Sequence, residues 1–184
     1  ENENMDRRSF LKTGVGAAAA AGCLATAARA AEDAPKKIGA DLRTIIAVNP
    51  SWFKGTHVEQ IEQIAAYGFP AFETLRCGGW EDKEAVRTRC KELGVQCGAV
   101  GGGMGSINDW GPNDPANHQR FVDAVKESIA NAQAIGSKRV LALSGPARDG
   151  VSKEEQMDAL VKAGQLVAPM LEDADMVLVW ETLN

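Results

Sequence analysis

Several things that other proteins rely on are scarce in this chain. Its 184 residues include two histidines, His57 and His118, and both fall where helices are expected to begin. No Ser-His-Asp or Cys-His arrangement can be built from their positions, so nucleophilic catalysis has no support. Four cysteines are present, and only Cys77, Cys90 and Cys97 lie beyond residue 30. An odd number without metal-ligand spacing argues against a disulfide framework or a zinc knuckle, and for buried free thiols. No apolar run is long enough, or rich enough in Leu and Ile, to span a bilayer. Basic residues are outnumbered, the net charge being −5, and they form no stripe, which disfavours nucleic acid as a partner. No Gly-x-Gly-x-x-Gly follows the first apolar run, where a dinucleotide fold would carry it.

What is present begins with the amino terminus. Arg7-Arg8-Ser9-Phe10-Leu11-Lys12 precedes a Gly/Ala-rich stretch and then Ala28-Arg29-Ala30, an A-x-A cleavage triplet. That order is the pattern of a twin-arginine export signal over residues 1–30, which implies a periplasmic location. Cys23, after Ala20-Ala21-Gly22, leaves a lipid anchor as the minor option. Removing residues 1–30 takes away Arg7, Arg8, Lys12 and Arg29 against Glu1, Glu3 and Asp6, leaving 16 basic and 22 acidic side chains, a net −6. A linker is expected over residues 31–39, and one domain with a sizeable core, 45% of the whole chain being hydrophobic, over residues 40–184.

Short apolar runs alternate with helical periodicity through that domain. Strands are expected at Thr44–Val48, Ala71–Leu75, Val95–Val100, Arg139–Leu143 and Met176–Trp180. Helices between them would bury Val58/Ile61/Ala65, Ala85/Val86/Arg89/Leu93, Phe121/Val125/Ile129/Ala132 and Met157/Leu160/Val161/Val167/Leu171. Thr56-x-x-Glu59 and Ser152-x-x-Glu155 are capping boxes, and Gly68, Gly94 and Gly136 stand where helices should stop. Repeated βα units demand a parallel sheet. Either a doubly wound sheet or a (β/α)8 barrel would satisfy the pattern.

In both folds chemistry gathers where strands end. Those positions hold Asn49 and Trp52 after the first strand and Glu73, Arg76 and Trp80 on or after the second. Asn108, Asp109 and Trp110 follow the third, Ser144 and Arg148 the fourth, and Trp180, Glu181 and Asn184 end the fifth. All four tryptophans are therefore expected on one rim, where their faces suit a sugar-like or polyol ligand. Glu73 and Glu181 stand out, because a carboxylate in or ending a buried strand must be solvated, paired or metal-bound. Two facing one pocket would suit a divalent metal or proton transfer beside a carbonyl. The Gly101-Gly102-Gly103-Met104-Gly105 stretch leads into a long loop, so it reads as a flexible substrate loop rather than a phosphate cradle.

The stretch Val161 to Asn184, VKAGQLVAPMLEDADMVLVWETLN, resembles the segment of hydroxypyruvate isomerases and related sugar isomerases and epimerases that ends in a strand reading I-E-P-x-N. Tyr67-Gly68-Phe69-Pro70-Ala71-Phe72-Glu73 is similar to their G-F-x-x-x-E, Asn108-Asp109-Trp110 to their G-D-W, and Ala134 to Val140 to their A-x-G-x-x-R-V. Together these motifs cover about residues 40 to 184 and resemble the xylose isomerase-like barrel superfamily. The resemblance implies a (β/α)8 TIM barrel holding a divalent metal, Mg, Mn or Zn, with Glu181 as the fifth-strand glutamate that binds it and takes part in catalysis. It implies a proton moved between adjacent carbons of a sugar or small keto or hydroxy acid through an enediolate; the strand-end positions put Glu73, Trp80, Trp110 and Asn184 toward the substrate.

Leu141 stands where hydroxypyruvate isomerases commonly carry histidine, and Thr182 replaces the proline after the glutamate. Both argue against hydroxypyruvate itself as substrate. A complete barrel of this kind runs to roughly 250 residues, so only about five βα units are expected here, with the ligands of strands six to eight missing and no isomerase activity from this chain alone. The alternative is an exported, non-catalytic carbohydrate-binding module built on the tryptophan rim. A metal-dependent endonuclease of abasic DNA shares the barrel, but two histidines and an acidic balance argue against it.

Overall fold

A computed structural model describes residues 36–181 and Leu183. The proposed export signal, Thr182 and Asn184 lie outside the described residues. The chain divides between Lys36 and Lys37, and the description that follows is of the second unit, Lys37–Asn184. Its first turn is tied down early, since Ile38 donates its backbone N–H to the Gly68 carbonyl at 2.7 Å.

Five parallel strands form one sheet: β1 (Ala47–Val48), β2 (Ala71–Thr74), β3 (Gln96–Gly101), β4 (Arg139–Leu143) and β5 (Val177–Glu181). Four helices connect them: α1 (His57–Ala66), α2 (Lys83–Leu93), α3 (His118–Ile135) and α4 (Lys153–Asp173). The spatial order is β1-β2-β3-β4-β5. That order decides between the two candidate folds. A doubly wound sheet must reverse direction at a switch point, whereas uninterrupted right-handed crossovers leave every helix on one side. The unit is wound as part of a (β/α)8 barrel is wound.

Sequence signals produce the helices where expected. Thr56 and Ser152 each accept from the backbone N–H three residues on, while Glu59 and Glu155 reach back to the cap N–H at 2.7 and 3.0 Å. These hydrogen bonds hold both carboxyls below the usual carboxylate range, through the Thr56 backbone for Glu59 and the Ser152 hydroxyl for Glu155. Gly94 and Gly136 close α2 and α3 in the left-handed region. No glycine closes α4. There Asp175 takes φ +52, and its carboxylate pairs with Lys138 at 2.7 Å.

Three expectations need correction, one of them for α2, whose buried residues are Val86 and Cys90 while Ala85 is exposed and Arg89 pairs with Glu62 and Glu92. The first strand is short: Thr44 to Ile46 lie outside the ladder and Ile45 is exposed, because β1 hydrogen-bonds a neighbour on one side only among the described residues. The buried stripe of α4 is Ala159, Ala163, Val167 and Leu171, and Met157 and Val161 are exposed. Small residues at this spacing let the helix lie close to the sheet, and the larger apolar groups turn outward. The core lies between helices and sheet, around Phe72, Val100, Val140, Ile61, Phe121 and Val167.

Candidate active site at the carboxyl ends of the strands

Register determines which side chains share the open face of the sheet. Val100 pairs with Val140 and Thr74 with Val100, all three buried under the helices. Alternation then places Glu73, Leu75, Leu141, Leu143 and Glu181 on the opposite face, with Leu143 directly beside Glu181. Glu73 lies along β3, where the absent side chain of Gly98 leaves it room; a Cβ there would stand 3.3 Å from its Cγ.

Both glutamates are exposed. The desolvation cost expected of a carboxylate in a buried strand therefore does not arise for either. Three strand spacings separate β2 from β5, on the order of 14 Å, so the two carboxylates share a face without touching one another. Among the described residues no three His, Cys, Asp or Glu side chains lie close enough to hold a metal. Glu181 offers one carboxylate ligand, and the residues present do not complete a site.

The tryptophans occupy four different environments. Trp52, in the short 3₁₀ turn Pro50–Trp52 capped by Asn49, is 77% exposed. Trp80 stacks on the His57 ring with centroids 4.0 Å apart, so one of its faces is taken. Trp110 is buried, and the Arg120 guanidinium covers its ring at 4.0 Å. Trp180 points to the helices and stacks on Phe121 at 5.4 Å. A common aromatic platform is not what they form.

Among the cavities on this rim, two lie beside Arg76. One, of about 580 Å³, lies above β2 to β4 between Leu75, Arg76, the Gly101–Gly105 loop, Asp109 and Leu143. The other, of about 310 Å³, lies at the ends of β1 and β2 between Asn49, His57, Gln60, Thr74, Arg76 and Trp80. Arg76 borders both and has no ion-pair partner among the described residues. Asn108 is exposed, and its N–H donates to the Ser106 hydroxyl at 3.3 Å.

Ser144 and Arg148 serve the loops. The Ser144 hydroxyl accepts from the Leu183 N–H at 3.2 Å, and Arg148 pairs with Asp114 at 3.3 Å. Behind them the two loops are clamped together: Gly111 and Gly145 meet backbone to backbone, and the buried Asn113 amide donates to the Pro146 carbonyl at 2.6 Å. His118 donates to the Pro112 carbonyl at 3.1 Å and so braces the start of α3.

Sequence reasoning missed His57. A solvent-facing position at the start of α1 is expected of it, yet its side chain is 33% exposed and its Nδ1 lies 2.7 Å from Asp82 Oδ1. Only the sheet order, which sets the β1–α1 and β2–α2 loops side by side, reveals this pairing. The three cysteines beyond residue 30 are free, as expected, with Cys77 and Cys90 buried. Burial pushes the Cys77 thiol up, against the opposing pull of the Lys83 ammonium.

A family model described as a xylose isomerase-like TIM barrel matches residues 61–184. The chain belongs to this family. Solved structures with the same fold include an AP endonuclease of family 2 from Brucella melitensis, 17% identical with a TM-score of 0.61, the match covering 76% of this chain and 55% of that one. The 3-keto-D-glucoside 4-epimerase from E. coli is 18% identical with a TM-score of 0.60, over 76% of this chain and 56% of that one. An L-ribulose 3-epimerase is 19% identical with a TM-score of 0.57, over 76% and 50%. The chain thus spans about half the length of these barrel structures. No curated protein matches it. Among the described residues no helix is long and apolar enough to cross a membrane.

Proposed function

We propose that this chain forms the β1 to β5 part of a barrel that isomerises or epimerises a sugar or a small keto or hydroxy acid, by moving a proton between adjacent carbons. The observation that carries this reading is Glu181, an exposed carboxylate ending β5 on the open face of the sheet, within residues 61–184 that the family model matches. A carboxylate there can take a proton from a carbon next to a carbonyl and return it to the neighbouring carbon on the same face, whereas return to the opposite face needs a second acid on that side. Glu73 lies on the same face, and Trp80 and Arg76 border the cavity at the ends of β1 and β2, so polar and aromatic groups stand further along the same rim. A divalent metal held in part by Glu181 belongs to this reading and would supply carbonyl polarisation when bound. The described residues do not complete its site, so the proton step here rests on the carboxylate alone.

Within this reading the 184-residue chain does not turn over by itself, and the whole barrel does. With Mn²⁺ or Mg²⁺ and a panel of ketoses and aldoses, turnover by the 184-residue chain would overturn that partition. In the whole barrel Glu181→Ala should lower kcat by about a hundredfold or more, the scale on which a positioned acid or base contributes. Undiminished activity would remove Glu181 from the site. We also propose export by the twin-arginine route: Arg7→Lys with Arg8→Lys should hold the protein in the cytoplasm on fractionation, and unchanged periplasmic recovery would refute it.

A further inference from the structure

Asp82 stands at the N-cap of α2, a position where aspartate ordinarily accepts the backbone N–H of the first turn. Its side chain makes no such bond. The carboxylate is turned instead to His57, 25 residues earlier in the chain, at 2.7 Å from Nδ1. Helix stability is forgone to hold an imidazole, a local conflict of the kind found where function sets the geometry.

The rest of the neighbourhood fixes the same ring. Trp80 lies nearly parallel to it, at an interplanar angle of 16°. Lys83 donates to the carbonyls of Gly78 and Trp80, both at 2.8 Å, and so fastens the loop that carries Trp80. With Asp82 accepting from Nδ1–H, the neutral imidazole keeps Nε2 as a bare acceptor. Nε2 has no partner among the described residues, and His57 borders the 310 Å³ cavity between β1 and β2. Asn49, Gln60 and Thr74 supply further polar groups around that space.

We propose that this cavity binds a small polyhydroxy compound, a sugar or polyol, with His57 Nε2 accepting a hydrogen bond from a ligand hydroxyl and Asp82 acting as the positioning residue that keeps Nε2 free. The inference rests on the reading of the rim as a sugar site. It needs only residues between Asn49 and Asp82, all within this chain.

Two histidines in the sequence make the test direct. Long-range ¹H–¹⁵N spectra of the 184-residue chain, assigned with His57→Gln, should show neutral His57 as the Nδ1–H tautomer. Adding D-fructose or glycerol should shift its Nε2 resonance to saturation. Asp82→Ser can cap α2 itself, so it should melt at or above the wild-type temperature while losing the tautomer bias and binding the sugar about tenfold more weakly, the scale of one lost hydrogen bond. An Nε2–H tautomer, an unmoved Nε2 resonance with both probes, or wild-type sugar affinity in Asp82→Ser would each overturn the proposal. None of these readouts depends on turnover. An inactive whole barrel whose His57 still responds to sugar would therefore defeat the proposed activity alone.

Discussion

Gly145→Ala tests how tightly the loops after β3 and β4 are joined. Gly145 has φ +91, and a Cβ there would come within 2.6 Å of Asn113 Oδ1 and 2.9 Å of the Gly111 nitrogen. Neither neighbour can yield cheaply. The Gly111 nitrogen is backbone, and the Asn113 amide is held by the Pro146 carbonyl at 2.6 Å and by Gln156 at 3.1 Å. A left-handed conformation costs an ordinary residue roughly 1–2 kcal/mol, and forced overpacking about 1–3 kcal/mol more. The combined loss of roughly 2–5 kcal/mol is a large part of a typical stability of about 5–15 kcal/mol.

In a domain of this size each kcal/mol moves Tm by about 2–4 °C, so calorimetry should record a fall of roughly 4–20 °C. Gly164→Ala is the control. It lies inside α4, has ordinary φ, and an added Cβ meets nothing within 4 Å, so it should raise stability by up to ~1 kcal/mol. The double variant Gly111→Ala/Gly145→Ala should cost less than the sum of its parts, because both changes push the same pair of backbones apart. A Tm within about 2 °C of wild type for Gly145→Ala would refute the tight contact and the strain argument with it.

Ser152→Ala removes the hydroxyl that accepts the Glu155 N–H and should destabilise the unit by about 1 kcal/mol in urea titration, with Ser152→Gly losing less; an Ala variant as stable as wild type would mean the cap contributes nothing. Burial pushes the Cys90 thiol up to about 11 and the Cys97 thiol up to about 12, from an ordinary 9.0. Both folded values are raised, so their contribution is fully present below pH 9 and drains away as pH rises through 11 and 12, while the unfolded chain ionises first. Stability should thus fall between pH 9 and 11, and fall less in Cys90→Ala; an equal fall in both proteins would rule this thiol out as a source of alkaline sensitivity.

Much of the fold was legible from local chemistry. Capping boxes at Thr56 and Ser152 and the stops at Gly94 and Gly136 depend on residues within one turn, so sequence alone locates them. β5 was legible too, although the ladder runs one residue further and takes Glu181 into register with Leu143. The face of α4 was not legible. Large apolar residues at helical spacing suggested a stripe through Met157 and Val161, whereas close approach to the sheet selects the alanines. The site was legible only in outline. Strand ends could be listed, but which of them meet depends on strand order, and so the pairing of His57 with Asp82 across two loops could not be read. Trp110 looked like a rim aromatic because it follows β3, yet the chain folds back and buries it beneath Arg120.

Every described strand after β1 pairs with its predecessor in sequence, and the longest reach in any ladder is that between β3 and β4, as from Val100 to Val140. Such an arrangement has a direction in time as well as in space. During synthesis β2 finds β1 already made, β3 finds β2, and no strand must wait for a distant segment before its amides are partnered on one side. The structure grows like a row of shingles, each new βα unit sealing the last against the helices and presenting one fresh row of hydrogen-bonding groups to whatever comes next.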